Sequence, residues 1–413
     1  MSIVGLAELE PGMVLNSAVR SSQGRLLIPA GTIVTDKHIR MCKIWGVVEA
    51  DVSGQAEAEH REEMELRRMA AEAPKASKEA KRDTRERFAT AGLEHKAVKR
   101  LAKEFYRRLL PLVIESPGRS RPSLPPPGPG EDESPPNLKE VAARELELAS
   151  PPDSFNRILR AINDPDSSAA YVAEVVQRDV SLSAKVLRAV NTPHYGFPRR
   201  IDTLTRAITL MGSRQILNLA LGISVVSHFR DVPETLLNMH GFWQHSLACG
   251  IITRLLAVTC GVEDEERLFV AGLLHDIGKL VMLRNFQPQM ARAMRLHLEE
   301  EIPLNKAEQR CWDFDHADVG GAVLDAWGLP SSLTSVIVDH HQPARDGMAL
   351  PCVLVHLADL FAHAMQCGGS GAWHLPRFCA HCWDAYGLSS NLIPTIISQA
   401  ETSFDESMNI FFP

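Results

Sequence analysis

Seven histidine and aspartate residues in the second half of this 413-residue sequence have the side-chain types of a metal site. Imidazole and carboxylate groups that converge from neighbouring helices can hold one or two divalent metals in the core of a helical bundle. Two such ions about 3.5–4 Å apart can activate water and stabilise the attacking and leaving oxygens of phosphodiester hydrolysis. A metal-dependent hydrolase is therefore one candidate function. The seven residues are His245, His275, Asp276, His316, His340, His341 and Asp359.

Apolar residues at helical spacing surround these positions and predict the helices that must position the site. His245 lies in FWQHSLACGIITRLL, where apolar residues recur every three or four positions. His316 begins an apolar segment, the histidine pair at 340–341 follows the next, and Asp359 lies within a third. Side chains of adjacent residues on a helix diverge by about 100°. His275 and Asp276 would therefore serve neighbouring ions, or one would bind an ion while the other orients it through a hydrogen bond.

The overall composition indicates a cytoplasmic globular protein of more than one domain. A length of 413 residues exceeds one typical core, and a formal net charge of −7 gives no global attraction to nucleic acid. We find no apolar run long enough for a transmembrane segment and no signal peptide. The eight cysteines are scattered along the chain, which favours reduced thiols, and the CAHC segment at 379–382 fits no standard zinc-ligand spacing.

Residues 1–52 form a distinct unit in which short apolar runs alternate with turn signals. We predict a small β-rich module with a hairpin, a short helix over about residues 36–45 and a final strand. The segments LAELEPGMVL and GRLLIPAGTIVTDKHI resemble the small module that often precedes bacterial HD-GYP domains. This resemblance is compatible with ligand sensing and equally with a purely structural capping role.

The composition changes on both sides of the candidate metal residues. Residues 53–145 combine a charged helical tract with SPGRSRPSLPPPGPGEDESPP, a Pro-rich stretch that sustains neither regular structure, so we interpret the region as helical tract and linker. Residues 365–413 begin as a Gly-rich loop and end in helical patterning. We predict that this C-terminal extension closes the bundle.

Four blocks of the intervening sequence carry a family resemblance. They are RDVSLSAKVLRAVNTPHYGFPRRIDTLTRAITLMG, FWQHSLACGIITRLL, FVAGLLHDIGKLVML and HADVGGAVLDAWGLPSSLTSVIVDHHQP. Together they resemble the HDOD domain, the HD-related output domain of bacterial signalling proteins, over residues 146–364. The resemblance implies a mainly α fold, with an N-terminal helical subdomain at 146–230 and an HD-like bundle at 231–364. It also implies a regulatory module that binds other signalling proteins without established catalysis, and it leaves homo-oligomer formation open.

Resemblance to the wider HD phosphohydrolase superfamily implies roles for the seven residues. One ion of iron, manganese or zinc would be held by His245, His275, Asp276 and Asp359, and a second by His316, His340 and His341. If the protein is an enzyme, Asp276 and Lys279 are the catalytic candidates. Lys279 matches a position proposed to contact substrate phosphate in related enzymes.

The chain departs from the HD-GYP motif directly after the histidine pair. HD-GYP enzymes carry HHExxDGxGYP, whereas this chain reads HHQPARDGMALP, with Gln342 in place of the glutamate. Hydrolysis of cyclic di-GMP therefore has little motif support. Three interpretations remain open. We favour a non-catalytic regulatory module that binds another protein; the others are a metal-dependent phosphohydrolase acting on phosphodiesters and a metal-occupied sensor or stability site without turnover.

Overall fold

The N-terminal residues form two small antiparallel sheets with an apolar core of their own. In a computed structural model of the chain, the residues described are 2–5, 9, 13–20, 26–29, 32, 34–35, 38–39, 42, 47, 49–53, 55–118, 122–131, 136–148, 153–164, 167–192, 195, 197, 199–229, 236–345, 347 and 349–411. The strands are β1 (Ser2–Gly5), β2 (Val14–Leu15), β3 (Val19–Arg20), β4 (Leu26–Ile28) and β5 (Glu49–Ser53). β5 lies between β1 and β2, and β3 pairs with β4.

Leu15, Ile28 and Val52 are among the residues that fill the core of this module, so the predicted β-rich unit is confirmed. Of the predicted helix over residues 36–45, positions 38, 39 and 42 are helical and the others lie outside the described residues. The predicted final strand is β5.

The remaining described residues are mainly helical, as predicted. The helices are α1 (Gln55–Glu72), α2 (Pro74–Phe88), α3 (Lys96–Glu115), α4 (Leu138–Leu148), α5 (Asp153–Asn163), α6 (Ala169–Gln177), α7 (Val180–Val190), α8 (Leu204–Met211), α9 (Ser213–His228), α10 (Met239–Thr259), α11 (Glu265–Leu274), α12 (Ile277–Asn285), α13 (Gln287–Glu299), α14 (Leu304–Trp312), α15 (His316–Ala326), α16 (Ser331–Val338), α17 (Leu350–Met365), α18 (Ala380–Ala385) and α19 (Leu392–Phe411). This confirms the predicted fold class.

The charged helical tract before the Pro-rich stretch packs into the main apolar core. Phe88 of α2 and Leu101 and Phe105 of α3 are buried in the same cluster as residues of the later helices, through to Met408 of α19. α3 packs against α17 and α19. Its buried residues recur at helical spacing, while charged residues cover the other face. These two helices therefore belong to the helical bundle, and the predicted domain boundary at residue 145 stays a prediction.

Helix α10 brings the candidate metal helices together. It packs against α11 on one side and against α17 and α19 on others. On the far side of α11, helix α12 packs closely on α15. Gly278 permits this approach, because a Cβ atom there would overlap the carbonyl oxygen of His316. The glycine thus sets the distance between the chain at Asp276 and the chain at His316.

The described helices are short or polar relative to a membrane-spanning segment. None of them alone has the length and apolar composition to cross a membrane; α8 and α9, which meet at a bend of 118°, satisfy that test only when taken together.

Two of the cysteines, Cys379 and Cys382 at the start of α18, form a disulfide. The expectation that all thiols are reduced is wrong for this pair. Their Cα atoms lie 5.3 Å apart, a separation that a disulfide spans. The prediction rested on how the eight cysteines are distributed along the chain and did not consider that these two lie close together. The other six cysteines form no disulfide among the described residues.

Candidate metal centre

The fold brings all seven predicted metal residues into one cluster at the centre of the bundle. Six are no more than 5% exposed, and His341 is partly buried. Six helices and their ends supply them. His245 projects from α10, His275 and Asp276 occupy the junction of α11 and α12, His316 is the first residue of α15, the pair at 340–341 follows α16, and Asp359 lies on α17.

Four of these residues form a first group around Asp359. Its Oδ1 lies 3.1 Å from His245 Nε2 and 3.8 Å from His275 Nε2. Asp276 completes the group, with Oδ2 3.4 Å from His275 Nε2 and 3.9 Å from His245 Nε2. These are the four residues to which the superfamily resemblance gives the first metal.

His316, His340 and His341 form a second group beside the first. The Nε2 atoms of His316 and His341 lie 2.8 Å apart. His316 Nε2 is also 3.1 Å from Asp276 Oδ1. Asp276 therefore lies between the groups, with one carboxylate oxygen towards each.

Local structure aligns His316 with the cluster. Asp315 caps α15 through its side chain, and Asp318 returns a hydrogen bond to the Asp315 backbone N–H, so the helix begins at His316. The Nδ1 atom of His316 lies 2.5 Å from Glu308 Oε2 on α14. This carboxylate accepts the Nδ1 proton and leaves Nε2 to face Asp276 and His341.

The ring nitrogens of the other histidines suit metal coordination. His275 Nδ1 donates to the Gly272 carbonyl oxygen at 2.7 Å, and His340 Nδ1 donates to the Ile337 carbonyl oxygen at 2.6 Å. When neutral, each ring carries a lone pair on Nε2. The Nε2 atoms of His245 and His275 face the carboxylates of Asp359 and Asp276, and that of His340 is buried without a hydrogen-bond partner among the described residues. Ligating histidines commonly donate their second nitrogen to a carbonyl in this way, so these residues fit a divalent metal.

The charges of the cluster also fit a divalent cation. The buried carboxylates of Asp276, Asp359 and Glu308 face one buried ammonium group, that of Lys279, whose Nζ lies 2.6 Å from Asp276 Oδ2. Among these four groups the carboxylates exceed the ammonium group by two charges, which one divalent ion or two imidazolium rings would balance. An uncompensated charge at this depth would be costly.

The pKa values report the same deficit. Burial alone would raise the pKa of Asp276, but His275 and Lys279 reverse this effect and hold it well below its ordinary range. Burial opposes charge on the imidazoles as well. The carboxylate of Asp276 nevertheless raises the pKa of His275 well above its usual value, and Glu308 raises the pKa of His316 to about 9. Burial and the neighbouring imidazoles of His275 and His316 hold the pKa of His340 well below normal.

Lys279 matches a position proposed to contact substrate phosphate in related enzymes, and that role stays a prediction. Its side chain lies in the ion pair with Asp276 and is 4% exposed. In this arrangement it balances a carboxylate of the cluster and presents little of its ammonium group to a molecule outside.

Sequence reasoning missed several residues that contact the cluster. His363 lies one turn after Asp359 on α17, with Nε2 3.4 Å from Asp359 Oδ1. This i, i+4 spacing was the signal that could have identified it. Glu308 lies on another helix and carried no such signal. Cys249, one turn after His245 on α10, has its thiol against His275.

The domain that supplies most of this centre has known relatives. Residues 148–343 match the HDOD domain family. The chain carries an HDOD domain. A crystal structure of an HDOD domain protein with unknown function from Geobacter sulfurreducens aligns with a TM-score of 0.54 and 23% identity, over 67% of this chain and 99% of that one. A protein from Shewanella amazonensis, provisionally named a phosphohydrolase, aligns with a TM-score of 0.53 and 19% identity, over 66% and 98% of the two chains. These likenesses bear on the fold.

A sequence relative of part of the chain is an uncharacterized protein of Treponema pallidum (strain Nichols). It is 24% identical over 204 residues, which are 49% of this chain and 39% of that protein. The match to the HDOD family ends at residue 343. Asp359 and His363 therefore belong to a helix beyond the matched region, yet α17 packs against α10 and carries both residues to the centre.

Proposed function

We propose that this HDOD protein is a bacterial signalling or regulatory protein that acts through contacts with other signalling proteins, and that its buried histidine and aspartate cluster holds a divalent metal without turnover. The observation that carries the proposal is the closure of the cluster. Six of the seven candidate ligands are no more than 5% exposed, and Lys279 is engaged by Asp276. A hydrolytic metal must keep a position open to water and substrate.

A metal in this cluster would connect helices that are distant in sequence. The first group would join α10, the junction of α11 and α12, and α17 through His245, His275, Asp276 and Asp359. Bound there, a divalent ion would neutralise the excess carboxylate charge. Because the ion binds the folded arrangement of ligands, its binding would stabilise the domain and fix the surface that a partner recognises.

The first experiment compares metal content and thermal stability in matched variants. Iron, manganese and zinc are measured in anaerobically purified wild type, in His245→Ala, and in His240→Ala, an exposed histidine on the same helix. We expect near-stoichiometric metal in wild type and His240→Ala, and its loss in His245→Ala. Chelation should lower the Tm of the first two proteins to that of the third. Wild type without metal, or with a Tm indifferent to chelation, would contradict the proposal.

A metal-dependent phosphohydrolase is the second candidate. The position of Asp276 between the two histidine groups favours it, because two-metal hydrolases use such neighbouring sites. When bound, the ions would supply Lewis-acid activation of water. Hydrolysis of bis(p-nitrophenyl) phosphate is measured on the same samples with added iron, manganese or zinc. Turnover present in wild type and His240→Ala and lost in a folded Asp276→Asn variant would favour the enzyme over the regulatory module.

A further inference from the structure

A pocket of about 410 Å³ lies outside the metal centre, between the helices that precede the HDOD domain and the segment that follows α17. Phe105, Leu109 and Val113 of α3 form an apolar wall. Arg87 at the end of α2 and Trp373 line the opposite part. The volume lies within the range of small-molecule sites, which combine apolar walls with a few polar groups.

Arg87 is the polar group that gives the pocket its chemistry. Its guanidinium lies over the rings of Phe105 and Trp373, at 5.3 and 5.1 Å from the centroids. Its Nη2 contacts His363 Nδ1 at 2.8 Å, and its Nε atom is buried without a hydrogen-bond partner among the described residues. Among the residues that the structure describes, no carboxylate forms an ion pair with Arg87. Burial lowers the pKa of Arg87 to about 10, although the more distant Asp359 opposes this shift.

Trp373 adds a second donor without a partner. Its indole is 4% exposed, and its Nε1 is buried with no hydrogen bond to a described residue. A buried indole N–H usually finds an acceptor. Arg87 and Trp373 thus each carry a buried donor without a partner among the described residues, and both residues line a pocket with apolar walls. An anion in the pocket would gain most from the guanidinium, because hydrogen bonds to charged groups are the stronger ones.

We propose that this pocket binds a small organic acid, with its carboxylate on Arg87 and its apolar or aromatic body along Phe105, Leu109 and Val113. Glu115 lies at the exposed rim of the pocket. The negative charge of Glu115 disfavours a carboxylate at the pocket entrance. A bound acid would therefore place its carboxylate away from Glu115, on Arg87. Binding at this site needs no metal, although Arg87 also contacts His363 beside the metal centre.

The simplest alternative is an arginine that only stabilises the packing of α2 on α17. The stacking on two rings and the hydrogen bond to His363 are compatible with that role. The two interpretations differ in one measurable respect. A purely structural Arg87 gives no preference for an acid over an uncharged molecule of the same shape.

The experiment uses the full chain and three acids that differ in their apolar body, namely octanoate, 4-phenylbutyrate and indole-3-acetate. Each is compared with its uncharged amide by isothermal titration calorimetry. We expect at least one acid to bind about tenfold or more tightly than its amide. Arg87→Met should remove this preference, whereas Arg85→Met, an exposed arginine on the same helix, should retain it.

A second pair of variants keeps the test valid if Arg87→Met fails to fold. Leu112 lines the pocket and is 51% exposed, so Leu112→Trp should fill the pocket from the rim and block binding without disturbing the core. Ile114 is 38% exposed on the same helix, and Ile114→Trp should bind normally. If no acid binds more tightly than its amide, or if Leu112→Trp leaves the binding unchanged, the proposal is wrong.

Discussion

Arg87 donates a hydrogen bond to His363 and thereby determines which ring nitrogen of His363 carries the proton. A guanidinium has no acceptor, so His363 Nδ1 must accept at the observed 2.8 Å. The neutral ring then has its proton on Nε2, which lies 3.4 Å from Asp359 Oδ1 and 3.4 Å from Ser370 Oγ. His363 presents a donor to Asp359 in this arrangement. It therefore orients a candidate ligand, although its position would also be compatible with direct coordination.

Replacement of His363 should weaken metal binding without abolishing it. A hydrogen-bond partner of a metal ligand typically contributes about 10- to 100-fold in metal affinity. We expect His363→Leu to lose this factor, and His363→Gln to recover part of it because the amide can donate to Asp359. Competition with a chromophoric chelator measures the affinities, and exposed His381→Leu is the control. Equal losses in the leucine and glutamine variants, as large as in Asp359→Ala, would show that His363 is itself a ligand.

Removal of the Lys279 ammonium should destabilise the metal-free protein more than the metal-loaded one. Asp276 is 1% exposed and its partner 4%, so Lys279→Met leaves a buried carboxylate without its cation. Breaking a buried ion pair costs about 3–5 kcal/mol. We expect a loss of this size in chelator-treated protein by urea unfolding, and a smaller loss with saturating metal.

Exposed Lys306→Met is the matched control and should change the unfolding free energy by less than about 0.5 kcal/mol. If Lys279→Met lowers the unfolding free energy equally with and without metal, the ion does not compensate the charge of Asp276 in place of the Lys279 ammonium group.

The metal cluster was predictable from sequence to a much greater extent than its surroundings. His245 and Asp359 lie within regular apolar patterns, and a bundle has few places to put a polar side chain from such a position. Glu308 could not be predicted, because one glutamate on a charged helix resembles any solvated one. Arg87 was missed for a related reason: we predicted a charged helical tract outside the HDOD domain, while the few apolar positions around Phe88 and Phe105 are enough to bury one face of it in the bundle.

The Cys379–Cys382 disulfide predicts how many cysteines react with a thiol reagent before and after reduction. Denatured protein kept from reductant should react with Ellman's reagent at six cysteines, and at eight after reduction. Cys379→Ser/Cys382→Ser should give six under both conditions. Eight reactive thiols in protein purified without reductant would show that the Cys379–Cys382 pair is reduced in solution.

His297 should make the stability of the protein sensitive to acid. Its Nδ1 lies 2.5 Å from the Ile302 carbonyl oxygen, and its Nε2 accepts the Trp373 backbone N–H at 2.8 Å, so the folded protein needs the neutral ring. Burial lowers its pKa from 6.5 to about 3. Between these values the unfolded chain binds a proton that the folded protein does not, so the unfolding free energy falls as the pH decreases through this window.

His297→Gln keeps an amide that can serve both partners and has no proton to bind. Urea unfolding between pH 7 and pH 4.5 should therefore show a smaller decrease in unfolding free energy for this variant than for wild type. At pH 7 the wild type should be the more stable of the two, because the glutamine fits the buried ring site less well. Parallel pH dependences for the two proteins would mean that His297 takes up its proton equally in the folded and unfolded states, and that Trp373 is held by another group.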